Sequence, residues 1–598
     1  MSRKFSPFAL LTLLLFFTFL IRLWNLTAQS VWVDEGFSWF TTQADIWALL
    51  RSDVHPPLYF LVLSGWVGIV GDSELGLRYL SLLCGMLSTA MVAALAKEIR
   101  ARLNLGKSGQ WFAVVAVFFF ALSDMETYIA QEARPYTLHV LLACMSVWGL
   151  LHFERTGRRN AWLVWLLSSI ALPYTQYYGA WLLIVQGLYV LACWRGRRFW
   201  MGFGTLAMTL LAFAPWIFGM ILPYQLQAGS AHIPTDLSNL ATILRYLQAY
   251  FSGQWVIFGG VALVGLGIFQ QRTRHPTLAF LWGWLLIPFA ITFAINLVDA
   301  NYLFDYRISQ ITPAVALLIA LGWTRFPRFA ANFLLVGALI HGLIYVDAYR
   351  YKEDWRGFSQ EIASYVLRED TVVVDFKGGD YQMSYYLQRH LSAETTLASL
   401  RQKLQVSPQT YEADALAILD AAQTIWLVRW NDGGDALDKL AFTEHIQTGD
   451  IPIATDNNMN IRLLRFDRGT TNSLGMFENG MVLISAAIHP QTLQANLVWQ
   501  TERSLNESYT TSVLLLDSRG EVVAQLDSVP FLPTNQWQTN TPIWDGKQLV
   551  TLSGQALPEG DYQLAVQVYL WVTNGITRVL LADGNTLLRL ENFRIPSR

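Results

Sequence analysis

Up to about residue 346 the chain is a succession of apolar runs separated by polar loops. Each run is long enough to span much of the roughly 30 Å hydrocarbon core of a bilayer. The runs centre near Leu14, Leu83, Val117, Leu142, Leu167, Val185, Leu210, Val264, Ile287, Leu317 and Leu335. They predict about eleven transmembrane helices. The loops alternate in sign. One set carries Arg3 and Lys4; Lys97, Arg100, Arg102 and Lys107; Arg155, Arg158 and Arg159; Arg195, Arg197 and Arg198; Arg272 and Arg274; Arg325 and Arg328. The other carries Asp34, Glu35, Asp45 and Asp53; Asp124, Glu126 and Glu132; Asp236; Asp299 and Asp305. The positive-inside rule puts the basic set and the N-terminus in the cytoplasm, and an odd number of spans puts everything after about Tyr345 outside. Pro57–Leu63 is apolar too, but Gly71-Asp72-Ser73-Glu74 cuts it short, so it predicts a helix lying at the interface. A long outside loop is expected from about Pro223 to Gln254.

After residue 346 the period changes. Phe358–Leu367 reads as a helix, whereas Thr371–Phe376 and Thr424–Val428 read as short buried strands, which predicts an exterior α/β module over 347–470. From about Met476 the pattern is all-β. Asn496–Trp499, Ser512–Leu516 and Tyr562–Tyr569 predict strands, separated by turns such as Pro558-Glu559-Gly560-Asp561 and Asp583-Gly584-Asn585. Regular short strands of this kind predict a β-sandwich over 471–598. The expected fold class is therefore a polytopic α-helical membrane protein over 1–346 followed by two exterior modules.

Composition narrows the function. Of 598 residues, 53% are hydrophobic and 14% charged, too apolar for a soluble protein of this length. A net charge of −2 leaves no basic field to recruit nucleic acid. Cys84, Cys144 and Cys193 all lie in apolar runs and read as small core hydrophobes. Met1-Ser2-Arg3-Lys4 before the first run resembles a signal peptide without a cleavage site, so that run is expected to stay as a signal anchor. The chain has no P-loop, no dinucleotide-binding glycine turn, no Gly-x-Ser-x-Gly and no His-Glu-x-x-His. An activated group carried by a membrane lipid remains as the energy source.

The polar groups that could do chemistry cluster at span mouths. Asp34 and Glu35 sit in Trp32-Val33-Asp34-Glu35-Gly36-Phe37-Ser38, just past the first span, where a carboxylate is costly unless it faces water, a cation or a ligand. The alternative is that they start a short helix. Asp53 and His55, beside Pro56 and Pro57, offer ligands a divalent metal accepts, although two residues do not make a site and His55 reads equally as an interfacial histidine. Arg78, Arg134 and Arg307 each stand on the outer side against the inside bias, which points to an anion. The most unusual stretch is Gln131-Glu132-Ala133-Arg134-Pro135-Tyr136, where a helix start and an arginine could hold a phosphate. A structural Glu132–Arg134 pair is the competing reading.

Together these segments, with Leu77-Arg78-Tyr79-Leu80-Ser81 and Lys352-Glu353-Asp354-Trp355-Arg356, resemble family 39 of the GT-C membrane glycosyltransferases. This is the protein mannosyltransferase type, related to the aminoarabinose transferases of lipid A. The resemblance covers about residues 1–360. It implies an inverting transfer of a sugar from a polyprenyl-phosphate donor to an acceptor hydroxyl outside the cytoplasmic (inner) membrane, the acceptor being lipid, glycan or protein. It implies Asp34 as general base and Glu35 as a positioning group. It further implies a phosphate site drawn from Arg78, Gln131, Glu132, Arg134, Tyr136 and Arg307. No cofactor is certain; a divalent metal, used by some relatives, would take Asp53 and His55. Gln176 departs from the histidine common in bacterial relatives, and no Trp-Trp-Asp signature of oligosaccharyltransferases is present. A secondary transporter is the alternative function, disfavoured because no internal repeat is visible.

Overall fold

The computed structural model describes the chain apart from residues 1–5, 44–54, 107, 224–274, 297–304, 325–334, 338, 341–351, 376–380, 400–416, 431–444, 455–459, 469–472, 491, 531, 574 and 596–598. It forms two compact units. One comprises residues 1–30 and 38–353, the other 31–37 and 354–598.

The first unit is helical. Its helices are α1 (Pro7–Leu23), α2 (Val33–Gln43, which begins in the other unit), α3 (Leu58–Val70), α4 (Glu74–Leu103), α5 (Phe112–Ala121) and α6 (Asp124–Ala130). There follow α7 (Tyr136–Thr156), α8 (Arg159–Thr175), α9 (Gly179–Cys193), α10 (Gly196–Trp216), α11 (Pro276–Asn296) and α12 (Thr312–Trp323). A 3-10 turn, Asp305–Ile311, leads into α12. Local chemistry sets several ends. The Ser73 hydroxyl accepts from the Gly76 amide at 3.1 Å to start α4, and Gly157 at φ +68° stops α7.

Among the described residues, Glu74–Leu103, Tyr136–Thr156, Gly196–Ile221 and Pro276–Ile295 are each long and apolar enough to cross a membrane. The segments Gly109–Ala121 and Asp124–Ala130 are long and apolar enough only when taken together, and a 63° bend separates them. Helix α3 has 13 residues, about 20 Å of rise against the roughly 30 Å core. The run at Val264 lies outside the described residues. Of the run at Leu335, only 335–337 and 339–340 are described, as helix.

Helices pack closely where side chains are small. A Cβ on Gly149 of α7 would lie 2.6 Å from the Trp165 amide nitrogen of α8, so glycine is required there. Polar groups are paired between helices. Trp165 donates to Gln186 at 2.7 Å, Gln186 donates to Ser146 at 2.7 Å, and Ser146 meets Ser169 at 2.8 Å. In hydrocarbon such interhelical bonds replace contacts water would otherwise supply.

In the second unit, α13 (Trp355–Tyr365) and α14 (Tyr381–His390) accompany a five-stranded mixed sheet in the order β2-β1-β3-β5-β4. The strands are β1 (Thr371–Asp375), β2 (Thr396–Ser399), β3 (Thr424–Trp430), β4 (His445–Ala454) and β5 (Ile461–Arg468). Strand β1 runs parallel to β2 and β3, while β5 is antiparallel to β3 and to β4. Two antiparallel sheets follow. The four-stranded one contains β6 (Gly475–Met476), β7 (Met481–Ile488), β8 (Gln494–Thr501) and β11 (Ile543–Gln548). The six-stranded one contains β9 (Thr510–Leu516), β10 (Val522–Ser528), β12 (Val550–Thr551), β13 (Gly560–Val572), β14 (Gly575–Arg578) and β15 (Leu588–Ile595). One core joins them: Leu497 and Trp499 of β8 pack with Val513 and Leu515 of β9 and with Leu564, Val566 and Val568 of β13. The alternate residues Leu514 and Leu516 pack on Ala565 in a separate cluster, as the two-residue period of a strand requires.

Candidate active site

Tyr136, the first residue of α7, organises one cluster. Its ring lies 5.9 Å from the guanidinium carbon of Arg134 and 4.9 Å from the ring of Tyr306. Tyr306 precedes Arg307 in the 3-10 turn, so this ring contact sets that turn against the start of α7. Arg134 is buried, its Nη1 reaches the Ser38 hydroxyl at 3.4 Å, and its carbonyl accepts from the Ser81 hydroxyl at 3.3 Å. The Ser81 hydroxyl also meets the Tyr59 hydroxyl at 3.3 Å. Three of the sequence segments, around Tyr59, Arg78 and Arg134, therefore converge on Ser81.

Glu132 is fully buried and forms an ion pair with Lys352 at 2.8 Å. Gln131 donates to the carbonyls of Arg22 at 3.2 Å and Trp24 at 2.8 Å, which ties this stretch to the end of α1. Arg78, 1% exposed, donates to the carbonyls of Leu26 at 2.8 Å, Gln29 at 2.9 Å and Ser30 at 2.9 Å. These carbonyls give the charge a folded loop to hold.

The acidic pair belongs to the other unit. Asp34 and Glu35 occupy the first turn of α2, where the exposed amides and the helix dipole favour negative charge. Asp34 is half-buried and Glu35 fully buried. The segment is docked on α14. Val31 donates to the Tyr386 hydroxyl at 2.7 Å, and Phe37 meets Tyr381 edge-on at 5.6 Å. A Cβ on Gly36 would lie 2.6 Å from the Gln382 amide nitrogen, so only glycine allows this approach. In the later motif, Asp354 caps α13 by accepting from the Gly357 amide at 3.0 Å, and Trp355 is buried against Trp430 at 5.4 Å.

Residues 54–218 match the family model described as dolichyl-phosphate-mannose-protein mannosyltransferase. The fold is similar to that of ArnT from Cupriavidus metallidurans in two crystal structures. The one bound to undecaprenyl phosphate has 13% identity and a TM-score of 0.50, and the apo form 12% and 0.52. Each similarity covers 76% of this chain and 97% of ArnT. The chain shares the GT-C fold of these glycosyltransferases. An oligosaccharyltransferase from Archaeoglobus fulgidus aligns over 96% of this chain and 99% of its own at 9% identity, with a TM-score of 0.41, too low to bear on the architecture. No curated protein matches the sequence. The chain is a membrane protein of the GT-C fold, helical in its N-terminal region and built on β-sheets in its C-terminal region.

Asp53 lies outside the described residues, while His55 is exposed and packs edge-on to Phe60 at 6.3 Å. Among the described residues no three His, Cys, Asp or Glu side chains converge as a metal site requires. Sequence reasoning passed over Arg22, Thr312 and Tyr386, and gave Ser81 only as part of a segment. Arg22 was findable, since it stands at the end of the first span against the same inside bias that singles out Arg78. The others carry no sequence signal, because serine, threonine and tyrosine are common and only their neighbours make them matter.

Proposed function

We propose that this GT-C glycosyltransferase moves a sugar from a polyprenyl-phosphate donor to an acceptor hydroxyl on the outer face of the cytoplasmic membrane. Asp34 takes the proton of the acceptor hydroxyl. The freed oxygen attacks the anomeric carbon opposite the phosphate, the carbon–oxygen bond to phosphate breaks, and polyprenyl phosphate leaves with the bonding pair. The anomeric configuration inverts. Arg134 and Arg307 bear the leaving charge, Tyr136 aligns them, and the ion pair of Glu132 with Lys352 and the bonds of Gln131 brace the stretch between them. Arg78 shapes the loop that leads to Asp34, and Glu35 orients the acceptor. In this reading residues 1–346, with about eleven spans, carry catalysis. Residues 347–470 and a β-sandwich over 471–598 are exterior modules.

The observation that supports the reading best is the placement of Tyr136 between Arg134 and Tyr306, since it sets the turn that carries Arg307 against the helix start beside Arg134, and arginines suit a phosphate. Undecaprenyl phosphate in the ArnT structure makes a polyprenyl phosphate the first donor class to try. The test is transfer from a panel of polyprenyl-phosphate-linked sugars to membrane extract, with wild type beside Asp34→Asn. Loss of the base is expected to lower kcat by about 10²- to 10⁴-fold. Equal turnover by the two proteins would remove Asp34 from the role.

A further inference from the structure

The helical unit holds a second buried polar group that the mechanism above does not use. Arg22, in the last turn of α1, is fully buried; its Nη1 donates to the Thr89 hydroxyl of α4 at 3.2 Å, and its guanidinium lies 5.8 Å from the Phe120 ring centre. Gly85 makes room for it, since a Cβ there would stand 2.9 Å from Arg22 Nη1. Glu126 of α6, also fully buried, is its electrostatic partner. A buried carboxylate needs a cation and hydrogen-bond donors to stay charged. Arg22 supplies the first, and the Thr312 hydroxyl, which donates to Glu126 Oε1, supplies the second.

Thr312 is the first residue of α12 and directly follows the 3-10 turn. The same hydroxyl also lies 2.8 Å from the Ser309 carbonyl within that turn, so its one proton is shared between the two acceptors. Elsewhere the turn is held by apolar and backbone contacts: Ile308 and Ile311 pack with Tyr178 and Phe289, and Gln310 donates to the Tyr178 carbonyl at 2.5 Å. Tyr306 is set against Tyr136 and Tyr128. Arg307, half-buried, is thus carried on a turn whose exit is pinned by Thr312 to Glu126.

We infer that Glu126 is a positioning residue for phosphate recognition: through Thr312 it fixes the turn that presents Arg307. The inference rests on the reading of Arg307 as a phosphate ligand. A carboxylate that served only to cap α12 would support folding and leave phosphate affinity alone.

The two are separated by measuring undecaprenyl phosphate binding to the full-length protein in detergent, alongside its melting temperature. Arg307→Ala, Thr312→Val, Thr312→Ser and the Arg307→Ala/Thr312→Val double variant are compared with wild type. Thr312→Val is expected to weaken binding about tenfold, the worth of one well-placed hydrogen bond. Thr312→Ser, which keeps the hydroxyl, is expected to bind as wild type does. In the double variant the losses should not add, because both act through one side chain.

Wild-type affinity in a folded Thr312→Val protein, with weakened Arg307→Ala, would overturn the inference and leave the phosphate reading intact. Wild-type affinity in Arg307→Ala would overturn that reading and this inference with it. Should Thr312→Val fail to fold, Thr312→Ala takes its place. It likewise removes the hydroxyl that reaches Glu126, so wild-type affinity there would equally overturn the inference.

Discussion

The backbone amide of Val31 donates a 2.7 Å hydrogen bond to the Tyr386 hydroxyl across 355 positions of sequence. The acidic pair Asp34–Glu35 therefore begins from a backbone held by α14, not from a free loop. Tyr386→Phe would leave a buried amide without this acceptor, at a cost of about 1–3 kcal/mol. The expected outcome is a fall in kcat of about fivefold or more, with a melting temperature close to that of wild type. Unchanged kcat would show that α14 does not set the acidic pair.

Gly36 gives a sharper version of the same test. A methyl group there would stand 2.6 Å from the Gln382 amide nitrogen and 3.0 Å from its Cα, and backbone cannot yield as a flexible side chain can. Gly36→Ala is expected to push α2 off α14 and to reduce transfer more than Tyr386→Phe does. Hydrogen–deuterium exchange over residues 381–390 would report the displacement. Wild-type exchange and activity would refute the close packing.

The buried pair of Glu132 and Lys352, 2.8 Å apart, should be more sensitive to losing one member than both. Lys352→Met strands a buried carboxylate, which typically costs about 3–5 kcal/mol. Adding Glu132→Gln removes that charge and should recover part of the loss. Thermal unfolding of the two single variants and the double variant in detergent measures this. Equal stability of Lys352→Met and wild type would show that the pair contributes nothing.

Asp467 provides a pH dependence in the second unit. Burial alone would raise its pKa, but the charge of Arg465 and hydrogen bonds from Arg465, Thr448 and Thr424 hold it below the ordinary value. Arg465 Nε donates at 2.8 Å, Thr424 at 2.9 Å and Thr448 at 2.5 Å. A pKa lowered by folding adds stability that is present above the unfolded value, about 3.9, and lost as pH falls through the folded one. The stability gap between wild type and Asp467→Asn should thus be widest near neutral pH and shrink below about pH 4. Exchange protection of strand β5 as a function of pH is the measurement. A gap that does not change with pH would sink the assignment.

Much of the fold was legible because hydrophobic period is a local property. The runs at Leu83, Leu142, Leu210 and Ile287 became helices long enough to span, and the alternation in Tyr562–Tyr569 became part of β13. The run at Val117 was legible as apolar but not as half of a bent pair, since the break between α5 and α6 depends on what packs around it. The site was legible only as candidates. Arg134 and Arg307 stood out by charge against the inside bias, yet the aromatic link through Tyr136 joins residues more than a hundred positions apart. Arg78 stood out by the same rule, and its carbonyl partners in Leu26, Gln29 and Ser30 could not be read from sequence.

By itself, then, the sequence determined which segments are apolar enough for lipid, where helix turns into strand, and which charges stand out of place. These follow from side-chain solvation and backbone period, which each residue and its near neighbours settle. Tertiary structure decided what each charge meets: carbonyls for Arg78, Lys352 for Glu132, Thr312 and Arg22 for Glu126. A buried charge persists only with a partner, and partners are supplied by folding across distances that no local pattern encodes.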